Sequence, residues 1–338
     1  MLYQYYLGNQ TSNNQIEKVV LSQEGLVPLD IWLNEQSAKL RQEKGIAKSE
    51  QASVFFLGNI NLGGAVGLDM LKRANYQYPL LKIRDLFTGA DAVVASLNSY
   101  FYPGLPGVND FRADLSAVDS LQFGGINLVN LASDEVMENG SLSLNKTAQI
   151  LQTKQIDYCG AIEHSVSDRF IIKEINSLKI AFLCYGSIYS SNLSTDKKSG
   201  LLPMDEQSLK SDLKKALQKA SVAVVLFNNE ADDEKGVSQS RAFSYAAIDY
   251  GASLVVGQSG AGRQSNELYK GKQVFLNLGN FLGGQQAGED GYSLVLKVLL
   301  SKDGAQQFDY FVTKVVDWQV VLAAENESNE VLKNVIRK

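Results

Sequence analysis

The chain has one histidine and two cysteines among its 338 residues, and each scarcity removes a class of function. A lone imidazole, His164, cannot supply the several neutral nitrogen ligands of an imidazole-rich metal centre. It also leaves Ser133 and Ser259 without the base that a serine hydrolase requires. Flanked by Glu163 and Asp168 and with no nucleophile beside it in sequence, His164 reads as a surface loop residue rather than a general base. Cys159 and Cys184 are too few for a disulfide framework and lack the clustered spacing of a zinc or redox motif. Each lies in an apolar stretch and reads as a small buried thiol. No run reaches the roughly 18 to 20 apolar residues of a membrane span, and no secretory apolar region is present. Charge is also undistinguished: 32 basic against 37 acidic residues give a net charge of −5 without a long like-charge block. Nucleic acid is therefore not an expected partner.

What is present is enough apolar sequence, 45% of residues, for one large domain or two ordinary ones. Residues 1–52 read as an appendage. Within them "LDIWLNEQSAKLRQEKG", Leu29 to Gly45, carries Leu29, Trp32, Leu33 and Leu40 among charges and predicts an amphipathic helix ended by glycine. The opening "MLYQYYLGNQTSNNQ" turns abruptly from aromatic to polar, which suits a chain that starts just after an anchor and suits an ordinary start equally. From Ser53 the rhythm changes. "SVFFLGN", "ADAVVASL", "INLVNLA", "KIAFLCYG", "SVAVVLFN", "ASLVVGQ" and "KQVFLNLGN" predict strands, and Ser143 to Thr153 and Asp205 to Ala220 predict helices between them. Alternating strand and helix marks a layered α/β domain, here residues 53–300. In residues 301–338 and just before them, "SLVLKVLL", "DYFVTKVV" and "WQVVLA" follow at short intervals and predict an antiparallel finish packed on that domain.

Several predicted strands end in small or carboxamide residues: Gly58 and Asn59, Ser96 and Asn98, Ser133 to Glu135, Asn228 to Glu230, Gly257 to Ser259, Gly279 and Asn280. In open α/β sheets that edge is where ligands bind. Glycine, asparagine and serine also simply make turns, and the pattern alone does not separate the two readings. "LASDEVMENG", 131–140, adds Asp134, Glu135 and Glu138, which read either as an acidic site or as solvated and helix-capping groups near Val136. "GQSGAG", 257–262, follows a strand but lacks the lysine and hydroxyl pair of a phosphate-binding P-loop. "FNNEADDEKG", 227–236, reads as a solvated acidic loop.

The blocks "VFFLGNINLGG", "GADAVVASLN", "GINLVNLASDEVMENG", "ILQTKQIDYCGA", "LKIAFLCYG", "VAVVLFNNE", "IDYGASLVVGQSGAG" and "GKQVFLNLGNF" occur in the order and approximate spacing of the CapA/PgsA family of capsule-biosynthesis proteins. The chain resembles that family over roughly residues 53 to 300. The resemblance implies a layered α/β/β/α sandwich of the calcineurin-like metallophosphoesterase type with mixed sheets. It also implies a cleft formed by Asn59, Asn98, Ser133, Asp134, Glu135, Asn228, Glu230, Gln258, Ser259 and Asn280. The ligands are what departs. Asn59 stands for the family's aspartate, Ser96-Leu97-Asn98 for Asn-Leu-Glu, Ser133-Asp134-Glu135 for Asn-Asn-His, Asn228-Asn229-Glu230 for His-Trp-Gly, and Gly257 to Ala261 for a histidine-rich turn. Gly58, Ala90, Asp91, Ala132, Gly140, Gly251, Gly257 and Asn277 to Phe281 are kept, and these mostly shape turns.

A two-metal centre that activates water needs anionic oxygen and imidazole ligands, so the departures predict no catalytic residues, no resident cofactor and at most a weak magnesium or calcium site. The resemblance implies an extracytoplasmic, envelope-bound subunit of a capsule complex of the poly-γ-glutamate type, held by a membrane segment outside this chain. Its partners would be the other subunits and the polymer. A hydrolase of altered mechanism using Asp134, Glu135 or Glu230, and a general adaptor without a capsule role, are the competing expectations.

Overall fold

The structure is a computed structural model and describes residues 7–12, 15–22, 25–28, 50–108, 110–162, 169–195, 198–229, 233–259, 264–283 and 291–335. The chain divides into two units, Met1–Ser49 and Glu50–Lys338. In the first, β1 (Leu7–Ser12), β2 (Gln15–Ser22) and β3 (Gly25–Pro28) form an antiparallel meander with Leu7 opposite Val20 and Val20 opposite Val27. The helix expected at Leu29 to Gly45 lies outside the described residues.

The second unit contains two stacked sheets. The larger runs β4 (Gln51–Ile60), β5 (Ala92–Leu97), β6 (Leu128–Asn130) and β7 (Asp157–Cys159) in parallel. On the other side of β4 its path continues antiparallel through β15 (Tyr292–Ser301), β16 (Gly304–Val316) and β17 (Gln319–Leu322). This is the antiparallel finish that the closely spaced apolar runs predict. The smaller sheet has the order β8 (Phe170–Ile175), β9 (Leu178–Gly186), β10 (Val222–Asn229), β11 (Leu254–Ser259), β13 (Lys272–Asn277), β12 (Ser265–Tyr269). Its centre is parallel and its two edges antiparallel. A short strand, β14 (Asn280–Leu282), joins the larger sheet beside the end of β4.

Alternation along the strands assigns the layers. In β4, Val54 and Phe56 enter the core between the sheets, while Phe55 and Leu57 face the other way. In β9, Ile180, Phe182 and Cys184 face inward, and Ala181, Leu183 and Tyr185 outward. The outward face of the larger sheet is covered by α1 (Gly64–Arg73), α2 (Val118–Phe123) and α3 (Ser141–Thr153), through side chains such as Val66, Met70, Leu121, Leu144 and Leu151. The smaller sheet is covered by α4 (Glu206–Ala216) and α5 (Glu234–Asp249), through Leu209, Leu213, Phe243 and Ala247. A last helix, α6 (Glu325–Val335), contributes Val335 to the inter-sheet core. These are the four layers, helix, sheet, sheet and helix, of the expected sandwich. Strands buried on both faces explain the unbroken apolar runs: all six residues of β5 and all eight of β10 are buried. Each large side chain so placed contributes about 1.5–3 kcal/mol.

Two sequence readings are corrected. The cysteines are not separate thiols: Cys159 at the end of β7 and Cys184 in β9 form a disulfide, with Cα atoms 5.4 Å apart. Both side chains turn into the layer between the sheets, so stacking brings together residues that chain order keeps apart. The acidic stretch at 227–236 is also more than a solvated loop. Asp233 caps α5 by accepting from Gly236 N at 2.7 Å, and Glu234 sits in the first turn, where the helix dipole favours an anion.

Candidate functional site

At the carboxyl-terminal edges of the two sheets the apolar core gives way to carboxamides. In the larger sheet Asn59 pairs with Ser96, and Ser96 with Asn130; in the smaller, Gly186 pairs with Asn228, and Asn228 with Gln258. Paired residues on adjacent strands sit about 5 Å apart, so each row is a continuous ledge. Two-residue alternation aims the ledges at one another. Leu226, Val256 and Leu128 face the inter-sheet core, which turns Asn228, Gln258 and Asn130 the same way. Two hydrogen bonds then cross between the sheets: Asn228 Nδ2 donates to Asn98 Oδ1 at 3.2 Å, and Gln258 Nε2 donates to the Leu57 carbonyl at 3.0 Å.

Glycine permits this approach. A Cβ on Gly58 would stand 1.9 Å from the Gly279 carbonyl oxygen, and one on Gly186 2.2 Å from that of Ala132. Next to Gly58, Asn59 N donates to the Gly279 carbonyl at 3.1 Å. Asn280 follows, paired with Asn59 along the backbone but exposed to solvent. Ser96, Asn98 and Ser133 are buried beside these residues in sequence or register.

The ledges are incompletely satisfied. Asn59, Asn228 and Gln258 are only 5%, 3% and 2% exposed, yet Asn59 Oδ1, Asn228 Oδ1 and Gln258 Oε1 accept no hydrogen bond among the described residues. Asn130 Oδ1 accepts from Ala132 N at 2.9 Å, while its Nδ2 has no acceptor there. Each such atom destabilises the fold by about 1–3 kcal/mol, and native proteins keep few without a reason.

The acidic stretch divides its carboxylates between tethering and solvent. A short helical turn spans Asp134–Met137, around the expected Val136. Asp134 caps nothing there. Its carboxylate accepts from Tyr189 N at 3.0 Å and from Asn192 Nδ2 at 2.7 Å, fastening the loop after β9. Glu135 accepts from Ser133 Oγ. Glu138 lies at the surface, where loss of water on its sheltered side raises its carboxyl above the ordinary range. Burial, with Asp110 adding to it, pushes the Tyr100 hydroxyl up to about 12. That hydroxyl accepts from Asn139 Nδ2 at 3.2 Å, and Arg112 pairs with Asp110 at 3.0 Å.

The structure thus brings Asn59, Asn98, Asn228 and Gln258 together and sets Ser133, Asp134 and Glu135 on the adjoining loop. Glu230, His164, Glu163 and Asp168 lie outside the described residues; Ser259 closes β11, its side chain outside them too. Asn130 is the site residue that sequence reasoning misses. The edge rule that selects Asn59 selects it as well once the third strand is ended at Asn130 rather than at Ala132.

Among the described residues no three histidine, cysteine, aspartate or glutamate side chains converge as metal ligands. The side chains that do converge are neutral amides. They do not fit a divalent pair, whose bridging and terminal ligands must supply negative charge.

The family model described as bacterial capsule synthesis protein PGA_cap matches residues 53–285. Capsule biosynthesis protein CapA of Bacillus anthracis is 26% identical over 172 residues, which are 49% of this chain and 42% of that protein. PGA biosynthesis protein CapA of Bacillus subtilis (strain 168) is 25% identical over 233 residues, 67% of this chain and 60% of that protein. The matches therefore span less than two thirds of either relative's length. Among solved structures, TT1561 of Thermus thermophilus is similar with a TM-score of 0.40 and 12% identity, over 76% of this chain and 97% of that one.

Proposed function

This chain belongs to the bacterial capsule synthesis protein PGA_cap family, and on that premise we propose that it is a non-catalytic, extracytoplasmic subunit of a capsule synthesis and export complex. It holds a poly-γ-glutamate type polymer, or the neighbouring subunits, at the edge of its two sheets. The observation that carries this reading is the replacement of acid and imidazole ligands by buried carboxamides that bond across the sheets. Such groups bind and position; they neither activate water nor transfer a proton at neutral pH. Asp134 and Glu135, the carboxylates of the adjoining loop, are engaged by Tyr189, Asn192 and Ser133. The Cys159–Cys184 bond supports the location, because disulfides persist where the surroundings are oxidising. The capsule role rests on the relatives' names, since fold alone does not give function.

The test has two arms. Purified protein, given a generic aryl phosphoester with manganese or magnesium, is expected to show no turnover above the blank. In a capsulated host lacking the gene, the wild-type chain restores polymer, and Asn59→Ala with Asn98→Ala and Asp134→Ala does not, at equal protein level. Metal-stimulated turnover abolished by Asp134→Ala would overturn the reading in favour of a hydrolase. Full rescue by the triple variant would move the function to the outer surface.

A further inference from the structure

We infer that the carboxamide cluster between the sheets is a binding site for one monovalent cation, an alkali ion or ammonium, in place of the divalent pair implied by the resemblance. Asn59 Oδ1, Asn228 Oδ1 and Gln258 Oε1 are all acceptors, all buried and all without a donor among the described residues. Gln258 cannot be turned around to remove the problem, because its Nε2 must face the Leu57 carbonyl, which only accepts. The three residues lie close together. Asn228 and Gln258 are register partners on adjacent strands. Asn59 falls between Leu57, which accepts from Gln258, and Ile60, whose carbonyl accepts from Asn98 N at 2.8 Å. Asn98 in turn accepts from Asn228. A closed circuit of contacts thus links the three residues that carry the unpaired oxygens.

Neutral carbonyl oxygens are the ligands that replace the hydration shell of potassium in selective pores. A divalent ion loses far more hydration energy and needs carboxylates to restore it. Among the described residues the carboxylates of the adjoining loop are already engaged, Asp134 by Tyr189 and Asn192 and Glu135 by Ser133. Charge therefore selects the monovalent ion. Asn130 Nδ2, an unpaired donor in this layer, cannot meet a cation and is left for a water. The inference does not depend on the capsule role.

The experiment uses the full chain exchanged into choline chloride, then titrated with potassium, sodium or ammonium chloride at constant ionic strength while thermal unfolding is followed. A ligand that binds only the folded state raises its population by 1 + [L]/Kd, so about a 100-fold gain is expected at about 100 times Kd. The rise in Tm should begin near Kd and then grow with the logarithm of ion concentration, should be absent with further choline, and should exceed that from magnesium or calcium at equal ionic strength. Asn59→Asp restores one charge and is expected to reverse the preference toward the divalent ions. If that variant does not fold, thallium(I) soaked into wild-type crystals gives the second readout, an anomalous peak among Asn59, Asn228 and Gln258. No rise in Tm with any monovalent ion beyond that with choline, a stronger response to divalent ions in the wild type, or a peak elsewhere each overturns the site. None of these outcomes touches the capsule reading, which fails only on turnover or on rescue.

Discussion

Asp134 accepts from both the backbone of Tyr189 and the side chain of Asn192, so an acid that looks catalytic in sequence is a tether in the structure. Charge-assisted hydrogen bonds of this kind contribute about 1.5–3 kcal/mol when shielded. They contribute less here, because Tyr189 is largely exposed and solvent screens the charge. Asp134→Ala is therefore expected to free the loop without unfolding the core. Amide exchange at Tyr189 and Asn192 should accelerate about tenfold, the equivalent of about 1.4 kcal/mol, while the Tm stays within about 2 °C. A large loss of Tm would show that the residue supports the core itself. The amide ledges were legible in sequence because strand ends recur with the same residue types and point to one edge. The role of Asp134 was not. Its partners lie more than fifty positions along the chain, on a loop that reaches it only because β9 and β6 end at the same edge of stacked sheets. Asn130 escaped for a smaller reason, a strand that ends two residues before its apolar run does.

The elements themselves depend on a few polar anchors, one of which is Glu327 in α6. Its carboxylate accepts from Lys314 Nζ at 2.6 Å, from Tyr292 OH at 2.9 Å and from Ala324 N at 2.8 Å, tying the helix's first turn to β15 and β16. Lys314 chiefly, then Ala324 N, holds its pKa at about 2, below the ordinary 4.5. A depressed carboxylate stabilises the fold above its unfolded pKa and ceases to as pH falls through the folded one. Docking of α6 should thus weaken between about pH 4.5 and 2. Hydrogen exchange along residues 325–335 should rise over that interval, and Glu327→Gln should exchange fast at neutral pH and show little change on acidification. Exchange that follows pH equally in both proteins would assign the acid response to other groups. Most strands could be read because both faces are buried, making their sequences continuously apolar. The helices read less well. In α1, Gly64 and Gly67 lower the helix propensity of a segment whose packing against the sheet outweighs it. The start of α5 is hidden in an acidic run, where Asp233 is indistinguishable by composition from its acidic neighbours.

At the scale of the molecule the question is what holds two sheets in register when their shared edge is polar and partly unsatisfied. The hydrogen bonds from Asn228 and Gln258 cross the gap, but each nets only about 1 kcal/mol. Below them the apolar core and one covalent link carry the joint. Cys159 ends the edge strand of the larger sheet and Cys184 lies in the smaller one, 25 residues apart in sequence. Neither sequence spacing nor composition reveals the pairing. It follows from sheets stacked about 10 Å apart, whose inward side chains meet midway. A loop of this size constrains the unfolded chain by about 3 kcal/mol, so Cys159→Ala with Cys184→Ala, or reduction, is expected to lower the Tm by roughly 5–10 °C. Because both cysteines lie in the buried core, the alanines of the double variant sit there as small apolar groups, and the folded architecture should persist. The controlling measurement is intact mass after thiol alkylation in denaturant, without reductant. Protein matured in an oxidising compartment should gain no alkyl group, whereas cytoplasmically expressed protein should gain two and melt at the lower temperature. Two reactive thiols in the oxidised material would refute the cross-sheet bond. Equal melting of the bonded and double-variant proteins would instead mean that the apolar layer alone fixes the sheets, and that the bond records the compartment without supporting the fold.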